Sequence, residues 1–373
     1  MQRSIWAVVL GGGLGVDMQP LMGNGKSKYL INILGKPLIK YPIDAIRNLG
    51  IRRITIASNQ QLIDESEIDY VKYGDNETDA LREVAQYSLK GTTVIIAYGD
   101  VVMPMDAYRL LLDTHIGSGN SLTALVVPIE DAAGYIKINL TEGQGISTAI
   151  RSNEHQPGYV LAGALAIEGE HLAQISSSDF IDLLSKSGGG AALWSGWWID
   201  VKHPWDLLAV IRNELSSLSQ SRISARASIS SKASIEGVVI IDDEATIDHN
   251  ATIRGPAYIG RKAYIGTNAL VRNYASIEEG SIIGAGVEIT ESLIQPYSTI
   301  GRGSFIGSSI IGEHSVMEPG VVTLTMHHEE AGNIGRRKLG MIIGNNVRIG
   351  ANSVISPGSI VKPNTIIPPL SRV

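Results

Sequence analysis

The C-terminal two-fifths of the chain, from about residue 225, carries a β-branched residue every six positions. A six-residue period does not fit the 3.6-residue period of a helix, and a flat strand does not continue over this length. The spacing predicts a coil of three sides per turn, each side placing one β-branched residue inward. An alanine precedes most of these residues by two positions, where a tight corner needs a small side chain. The unbroken set is Ile229, Ile235, Ile241, Ile247, Ile253, Ile259, Ile265, Val271, Ile277, Ile283 and Ile289.

The same pattern returns further along after one change of phase. The phase changes near Gln295, with a new series starting at Ile294, and a last series begins at Ile343. Between Glu318 and Met341 the period is lost, which predicts a loop that leaves the coil. Glycines follow several inward isoleucines, where we expect the backbone to turn sharply. They are Gly260, Gly266, Gly284, Gly301 and Gly307.

The preceding part of the chain has a different pattern. Short apolar runs such as Trp6–Leu10 and Val94–Ala97 alternate with segments of helical spacing such as Pro37–Leu49. This alternation predicts a mostly parallel sheet with helices on both faces, whose ligands bind beyond the carboxyl ends of the strands. We therefore expect an α/β domain over residues 1–218 and a β-helix domain over residues 219–373.

Composition excludes several classes of function. The 373 residues include no cysteine, so disulfides, thiol nucleophiles and thiolate metal sites are excluded. The net charge of −6 gives no indication of nucleic acid or an anionic membrane as a partner. No apolar run reaches the roughly 18–20 residues that a transmembrane helix needs, and the first apolar stretch is too short for a signal peptide. We expect a cytoplasmic protein.

The first predicted strand ends in a glycine-rich turn, Gly11-Gly12-Gly13-Leu14-Gly15. Such a turn lets backbone N–H groups approach a phosphate or a base, although many such turns are only tight bends. Gly25-Lys26-Ser27 looks like the end of a P-loop, but Pro20 stands where that motif needs its first glycine. The dinucleotide fingerprint needs a third glycine where this chain has Val16.

A longer series of motifs resembles the sugar-phosphate nucleotidyltransferase family. It comprises the turn above, Pro20-Leu21, Lys28-Tyr29-Leu30 and Gly35-Lys36-Pro37-Leu38-Ile39. It continues with Val94–Asp100 and with Trp198-Ile199-Asp200-Val201 through Leu207. The resemblance covers essentially the whole chain and is to archaeal members, which are related to the bifunctional N-acetylglucosamine-1-phosphate uridylyltransferase. It implies a Rossmann-like nucleotidyltransferase domain followed by a left-handed parallel β-helix of hexapeptide repeats.

The resemblance also implies a reaction and a set of site residues. The family joins a nucleoside triphosphate to a sugar 1-phosphate and releases pyrophosphate, with Mg²⁺ as cofactor. The family's catalytic lysine and metal-binding aspartate match Lys28 and Asp100, and its second metal-binding aspartate matches Asp200. Nucleotide and substrate binding is implied for the remaining matching positions. These are Leu10, Gly11, Gly12, Gly13, Gly15, Gly134 and Gly163.

Several positions depart from the family pattern. The threonine and arginine that follow the glycine turn are Val16 and Asp17 here, and a carboxylate repels phosphate where an arginine would attract it. Nearby Lys26 is a candidate replacement for that arginine. The family's Glu-Lys-Pro element has no clear match near Ile150–Glu154, where Arg151 is a candidate substitute.

Three functions therefore stay open. The first is an active nucleotidyltransferase with a divergent site, and the second is a regulatory homologue that binds nucleotide without turnover. The third, which the sequence favours least, is an acyltransferase on the β-helix. Related acetyltransferases use a histidine motif, whereas this chain has Arg302, Phe305, Gly307 and Ser308, and has a threonine, Thr325, for a downstream asparagine; His327-His328 are the alternative bases. We expect the β-helix to support a homo-oligomer.

Overall fold

The computed structural model describes residues 4–13, 15–22, 26–72, 77–87, 90–173, 180–186, 188–328 and 337–373. The chain divides into two compact units, which are Met1–Leu14 with Ile39–Asp200, and Gly15–Leu38 with Val201–Val373. Residues 15–38 thus belong to the unit that contains the C-terminal repeats. The domain boundary near residue 218 stays a prediction from the sequence.

Helices and short strands alternate over the first 216 residues. The strands are β1 Ser4–Leu10, β2 Asn32–Ile33, β3 Lys36–Pro37, β4 Arg53–Ala57, β5 Ile68–Val71, β6 Thr92–Tyr98, β7 Val101–Val102, β8 Leu122–Ile129, β9 Ile136–Leu140, β10 Ile146–Arg151, β11 Gly158–Glu168, β12 Gly190–Leu193 and β13 Ile199–Asp200. The helices are α1 Lys40–Asn48, α2 Glu77–Ala85, α3 Met105–Ser118, α4 Gly169–Leu172, α5 Phe180–Lys186 and α6 Asp206–Ser216. Two 3-10 turns lie at Val16–Met18 and Lys28–Leu30.

The first unit is built on one mixed sheet. Its strand order in the described residues is β10-β9-β11-β6-β1-β4-β5, with β8 and β12 beside β11. The central strands β6, β1, β4 and β5 are parallel, whereas β11 runs antiparallel to β6 and β8. Most residues of β1, β4 and β6 are buried on both faces, as the apolar runs predict. The prediction of an α/β fold with a parallel sheet is confirmed for this centre.

The second unit contains the predicted β-helix. Its strands are β14 Arg222–Ile223, β15 Ser228–Ile229, β16 Ser234–Glu236, β17 Val239–Ile241, β18 Thr246–Ile247, β19 Thr252–Arg254, β20 Ala257–Ile259, β21 Tyr264–Ile265, β22 Leu270–Arg272, β23 Ala275–Ile277, β24 Ile282–Ile283, β25 Glu288–Thr290, β26 Leu293–Ile294, β27 Thr299–Ile300, β28 Phe305–Gly307, β29 Ile310–Ile311, β30 Val316–Met317, β31 Val322–Thr323, β32 Met326–His328, β33 Arg337–Leu339, β34 Ile342–Ile343, β35 Arg348–Ile349, β36 Val354–Ile355, β37 Ile360–Val361 and β38 Ile366–Ile367. Within the described residues they form three parallel sheets of eight, eight and seven strands, plus the separate β32–β33 pair.

The interior of the β-helix is the column of residues that the six-residue period identifies. Ile265, Ile283 and Ile300 are fully buried, as are the corner alanines Ala263 and Ala269. Every third side joins the same sheet, which gives the parallel ladders. The parallel β-helix is therefore confirmed. Its left hand stays a prediction from the family resemblance.

The glycines after inward isoleucines have a different cause from the one expected. Gly260, Gly266, Gly284 and Gly301 do not have a positive φ. A Cβ on Gly260 would instead lie 2.9 Å from the backbone of Glu278 and Glu279 in the next coil. These positions exclude a side chain because two coils approach each other closely, and not because the backbone is left-handed.

The predicted loop between Glu318 and Met341 is shorter than expected. Val322–Thr323 form a regular side of the coil, and Ile342–Ile343 continue it. Between them β32 and β33 pair antiparallel, with Met326 opposite Leu339. Residues 329–336 and the side chains of His327 and His328 lie outside the described part of the chain. No helix among the described residues is long and apolar enough to cross a membrane.

Candidate functional site

The glycine turn begins at the edge where three parallel strands of the first unit end. The N–H of Gly11 donates to the carbonyl of Ala57 at the end of β4 (2.8 Å), and the N–H of Gly99 after β6 donates to the carbonyl of Leu10 (2.9 Å). Ser58 Oγ donates to the carbonyl of Gly11 (3.0 Å). Three strand ends therefore fix the start of the turn. Gly12 is half-buried and Gly13 is exposed, with φ of 130°.

The two predicted metal ligands lie side by side in the first unit. β13 pairs antiparallel with β7, so that Asp200 is opposite Val101 and Ile199 is opposite Val102. Asp100 directly precedes Val101 and follows the Gly99 that is bonded to Leu10. Both carboxylates are half-buried. One ladder therefore brings together two aspartates that are a hundred residues apart in sequence, at the edge that carries the glycine turn.

Gly163 lies in an irregularity of β11 beside this ladder. The register of β11 against β8 shifts between Leu161 and Leu165. Gly163 has φ of 74°, and a Cβ there would lie 2.6 Å from Val101 Cγ2. The indole Nε1 of Trp198 donates to the carbonyl of Ala162 at 2.9 Å. The shift thus makes room for Val101 and ties the strand that carries Asp200 to β11.

A pair of aromatic rings links the turn at Gly134 to the segment that leads into β13. The ring centroids of Tyr135 and Trp198 are 5.8 Å apart. Gly134 is exposed, has φ of 80°, and donates its N–H to the carbonyl of Ser152 at 2.7 Å. Tyr135 and Trp198 were not predicted as site residues. The sequence signal that could have identified this aromatic pair is the cluster of Trp194, Trp197 and Trp198. A short strand does not bury three indole rings within five residues, so at least one of them is available to line a site.

Lys28 and Gly15 lie together in the second unit. Gly15 has φ of 57°, and a Cβ there would lie 3.3 Å from Cβ of Lys28. Lys28 begins a 3-10 turn whose N-cap is Ser27, and its Nζ is 5.6 Å from the ring centroid of Tyr29. Gly15 therefore provides the space that the aliphatic part of Lys28 occupies.

The departures from the family pattern have clear positions in the same unit. Asp17 is exposed in the first turn of Val16–Met18. Lys26, the candidate replacement for the missing arginine, forms an ion pair with Glu313 of the β-helix. This pairing commits the Lys26 ammonium group to a carboxylate and weakens its case as a phosphate ligand.

The donor set fits a hard cation. Mg²⁺ binds oxygen ligands and commonly takes one or two protein carboxylates, with substrate phosphates and water completing its octahedron. Asp100 and Asp200 provide that number of carboxylates. Within the described residues, no group of three or more His, Asp or Glu side chains could hold a metal by themselves. The arrangement therefore suits a metal whose shell is completed by a bound phosphate.

A second polar cluster lies at the opposite edge of the sheet. His115 is fully buried, with Nδ1 3.0 Å from Thr123 Oγ1 and Nε2 3.0 Å from Glu168 Oε1. Thr123 and Glu168 stand at the start of β8 and the end of β11. Both ring nitrogens of the buried His115 therefore have hydrogen-bond partners. This residue has a structural role away from the glycine turn.

The sequence of this chain is similar to families and proteins that are already known. Residues 6–151 match the family described as nucleotidyl transferase, and residues 253–327 match the one described as GMPPB C-terminal domain. A bifunctional sugar-1-phosphate nucleotidylyltransferase/acetyltransferase of Sulfurisphaera tokodaii is 28% identical over 372 residues, covering 92% of this chain and 91% of that protein.

Two further relatives match smaller parts. A Sulfolobus acidocaldarius protein, provisionally named a mannose-1-phosphate guanyltransferase, is 26% identical over 226 residues, which are 55% of this chain and 61% of that protein. The bifunctional protein GlmU of Caldanaerobacter subterraneus is 24% identical over 159 residues, or 40% and 33% of the two chains. Taken with the two domain matches, these likenesses confirm the resemblance read from the sequence motifs. The chain is thus similar to the nucleotidyl transferase family over residues 6–151 and to the GMPPB C-terminal domain over residues 253–327.

Proposed function

We propose that the chain joins a nucleoside triphosphate to a sugar 1-phosphate, giving a nucleotide sugar and pyrophosphate. The observation that carries the proposal is the ladder of β7 with β13, which places Asp200 opposite the residue that follows Asp100. The match of residues 6–151 to the nucleotidyl transferase family and the names of the relatives support the same reaction.

The proposed reaction is a single in-line displacement. A phosphate oxygen of the sugar 1-phosphate forms a bond to the α-phosphorus, and the bond from that phosphorus to the oxygen bridging it to the β-phosphate breaks. The electron pair leaves with pyrophosphate. Since no covalent enzyme intermediate is needed, positioning and charge neutralisation carry the rate. A bound Mg²⁺ would supply neutralising charge on the phosphates.

Each residue has a part in this proposal. Asp100 and Asp200 would hold the Mg²⁺, as their pairing in one ladder allows. The glycine turn Gly11–Gly13 would bind the nucleotide beyond the Gly11 N–H that is bonded to Ala57, with Leu10 and Gly15 at the ends of the turn. Lys28 would neutralise phosphate charge, as the family resemblance implies. Gly134 and Gly163 would border the sugar, where the flat rings of Tyr135 and Trp198 can pack against its apolar face.

Asp17 favours a second candidate, a homologue that binds nucleotide with little or no turnover. Its exposed carboxylate stands where the family has an arginine that contacts the triphosphate. Loss of one such stabilising group typically costs about 10²–10³ in rate, and charge reversal costs more. The name of the Sulfurisphaera relative also includes an acetyltransferase activity. The β-helix acyltransferase is nevertheless the least favoured candidate, because Arg302, Phe305, Gly307 and Ser308 stand at the positions of the acetyltransferase histidine motif.

One experiment separates these candidates. The protein is incubated with Mg²⁺, each of the common nucleoside triphosphates and a panel of sugar 1-phosphates, and pyrophosphate is measured. We expect release with at least one pair and none without Mg²⁺. Nucleotide binding without pyrophosphate from any pair would leave the second candidate, and turnover that appears only in Asp17→Arg would establish it. A homo-oligomer formed through the β-helix remains a prediction, which sedimentation measures.

A further inference from the structure

The described residues 15–22 and 26–38, which we call the strap, run along one sheet of the β-helix within the second unit. This sheet, β14-β17-β20-β23-β26-β29-β34-β37, has buried residues on its outer face, including Ser276, Leu293 and Ile310. The corresponding outward residue Ile282 of the neighbouring sheet is 45% exposed. The strands of this sheet from β17 to β34 are thus buried on both faces, whereas Ile360 on the terminal strand β37 is 60% exposed.

Four polar side chains that follow four successive strands of this sheet hold the strap. Glu278 follows β23, Gln295 follows β26, Glu313 follows β29 and Asn345 follows β34. Gln295 Nε2 donates to the carbonyl of Asn32 at 2.6 Å, and Asn345 Nδ2 donates to the carbonyl of Leu21 at 2.9 Å. Glu313 pairs with Lys26. One contact per coil therefore fixes the path of the strap along the β-helix axis.

Glu278 makes the most demanding of these contacts. Its Oε1 accepts from the N–H of Leu34 at 2.8 Å and its Oε2 accepts from the N–H of Gly35 at 2.9 Å. Ser276 Oγ also donates to Oε1 at 2.7 Å. Leu34 and Gly35 both have positive φ, at the turn of the β2–β3 hairpin. A fully buried carboxylate thus accepts two consecutive amides that a tight turn leaves without partners in the strand ladder.

The strap has little regular structure of its own. It consists of two 3-10 turns and a hairpin of two-residue strands, and such short elements are not stable alone. Lys28 lies between the contacts at Lys26 and Asn32. The N–H of Ile31 donates to the carbonyl of Lys28 at 3.1 Å, and the N–H of Leu38 donates to Ile31 at 3.0 Å. The backbone around Lys28 is therefore bonded directly to the hairpin that Glu278 and Gln295 hold.

We propose that Glu278 and Gln295 are positioning residues for Lys28, so that the β-helix acts as the template that sets the conformation of a substrate-binding loop. This inference rests on the proposed function only where it concerns catalysis. Gly260, Gly312 and Gly344 occupy the equivalent corner positions on other coils, which shows that packing alone needs no long side chain there. Asp242 holds a further corner position and accepts a hydrogen bond from Tyr258.

Hydrogen exchange tests the template without requiring turnover. In Glu278→Gln one acceptor oxygen becomes an NH₂ group, and Gln295→Met removes the donor to Asn32. We expect amide exchange over residues 28–36 to accelerate on the order of tenfold in both variants, with exchange in the β-helix core strands unchanged. The matched control is Glu279→Gln, since the Glu279 side chain has no hydrogen bond to a described residue. Unchanged exchange over 28–36, or equal acceleration in the control, would overturn the inference.

A double-mutant cycle tests the link to Lys28. We expect Glu278→Gln and Gln295→Met each to lower kcat of pyrophosphate release roughly tenfold or more, and to lower it no further in a Lys28→Ala background. A merely structural defect would lower kcat equally in both backgrounds and would overturn the positioning role. If the wild-type chain has no turnover, the same cycle is measured on nucleotide affinity. Absence of pyrophosphate release by the wild type would thus contradict the proposed function. Equal effects of the variants with and without Lys28 would contradict the positioning role.

Discussion

Asp200 is the register partner of Val101 in a two-stranded antiparallel ladder, so its backbone lies one residue away from the position opposite Asp100. The pairing joins the end of β6 to a strand a hundred residues later. Because Mg²⁺ commonly takes one or two protein carboxylates, two aspartates on neighbouring backbone positions suit a site for a divalent metal.

Asp100→Asn and Asp200→Asn should each abolish most pyrophosphate release. Replacing one carboxylate by an amide removes one of the two anionic ligands, and we expect a loss of about 10²-fold or more in kcat together with a weaker Mg²⁺ dependence. The matched control is Asp113→Asn on the exposed face of α3, which should keep wild-type activity. Full activity in Asp200→Asn would contradict the metal role.

Gly163→Ala should destabilise the protein more than Gly134→Ala does. Both glycines have positive φ, so an alanine costs about 1 kcal/mol or more at either place. Only at Gly163 would the new Cβ also lie 2.6 Å from Val101, whereas nothing lies within 4 Å at Gly134. Denaturant unfolding should give an additional loss of about 1–3 kcal/mol for Gly163→Ala. Equal losses in the two variants would mean that Val101 moves away freely.

Two adjacent isoleucines on β24 test the inward column of the β-helix. Ile283 is fully buried and Ile282 is 45% exposed on the outer face of the same strand. We expect Ile283→Ala to lower the free energy of unfolding by about 2–5 kcal/mol, because it leaves a cavity between coils. Ile282→Ala should cost less than about 1 kcal/mol. A reversed order in thermal or denaturant unfolding would refute the assignment of inward and outward positions.

Glu278 should make stability depend on pH in an unusual direction. Its pKa is raised from the ordinary 4.5 to about 7, chiefly by burial. The hydrogen bonds from the Ser276 hydroxyl and the two strap amides oppose this shift, and the Asp242 carboxylate adds to it. The folded state therefore binds more protons than the unfolded state between about pH 4.5 and pH 7. Across that window the contribution of Glu278 to stability falls as pH rises, by a few kcal/mol at most.

The measurement is a difference between two proteins. The free energy of unfolding of the wild type minus that of Glu278→Gln should decrease from pH 4.5 to pH 7 and then level off. Taking the difference removes the opposite pH dependence of surface carboxylates such as Glu318, whose pKa the Arg348 guanidinium lowers. A difference that rises over this window would mean that the strap amides outweigh burial.

The sequence predicted those parts of the fold that rest on periodicity. The six-residue spacing identified the inward column because a β-helix core repeats one position for every side, and the buried runs of β1, β4 and β6 identified the parallel centre. The sequence did not predict that Val322–Thr323 form a strand of the β-helix. The six-residue spacing cannot be followed there because an irregular segment comes directly after it. The glycine corners were predicted correctly, but for the wrong reason, since close approach of coils cannot be read from one coil.

The candidate site was predictable only where a motif exists. Asp100 and Asp200 stand in recognisable strings, and one ladder brings them together. Tyr135 and Trp198 were missed because an aromatic pair 5.8 Å apart depends on how two separate strands meet. Glu278 and Gln295 were missed for a similar reason, although they stand between the corner glycines Gly260 and Gly312 of the adjacent coils. Their partners lie more than 240 residues earlier in the chain.

The long reach of the strap has a consequence for biosynthesis. Leu34 and Glu278 are 244 residues apart, and Leu21 and Asn345 are 324 residues apart. At about 5–20 residues per second, the ribosome adds these partners roughly 12 to 65 seconds after it has made the strap. Until then a nascent chain has the lysine of the motif but not the coils that hold it. Premature termination before residue 345 should therefore release chains in which the strap lacks the hydrogen bond between Asn345 and Leu21.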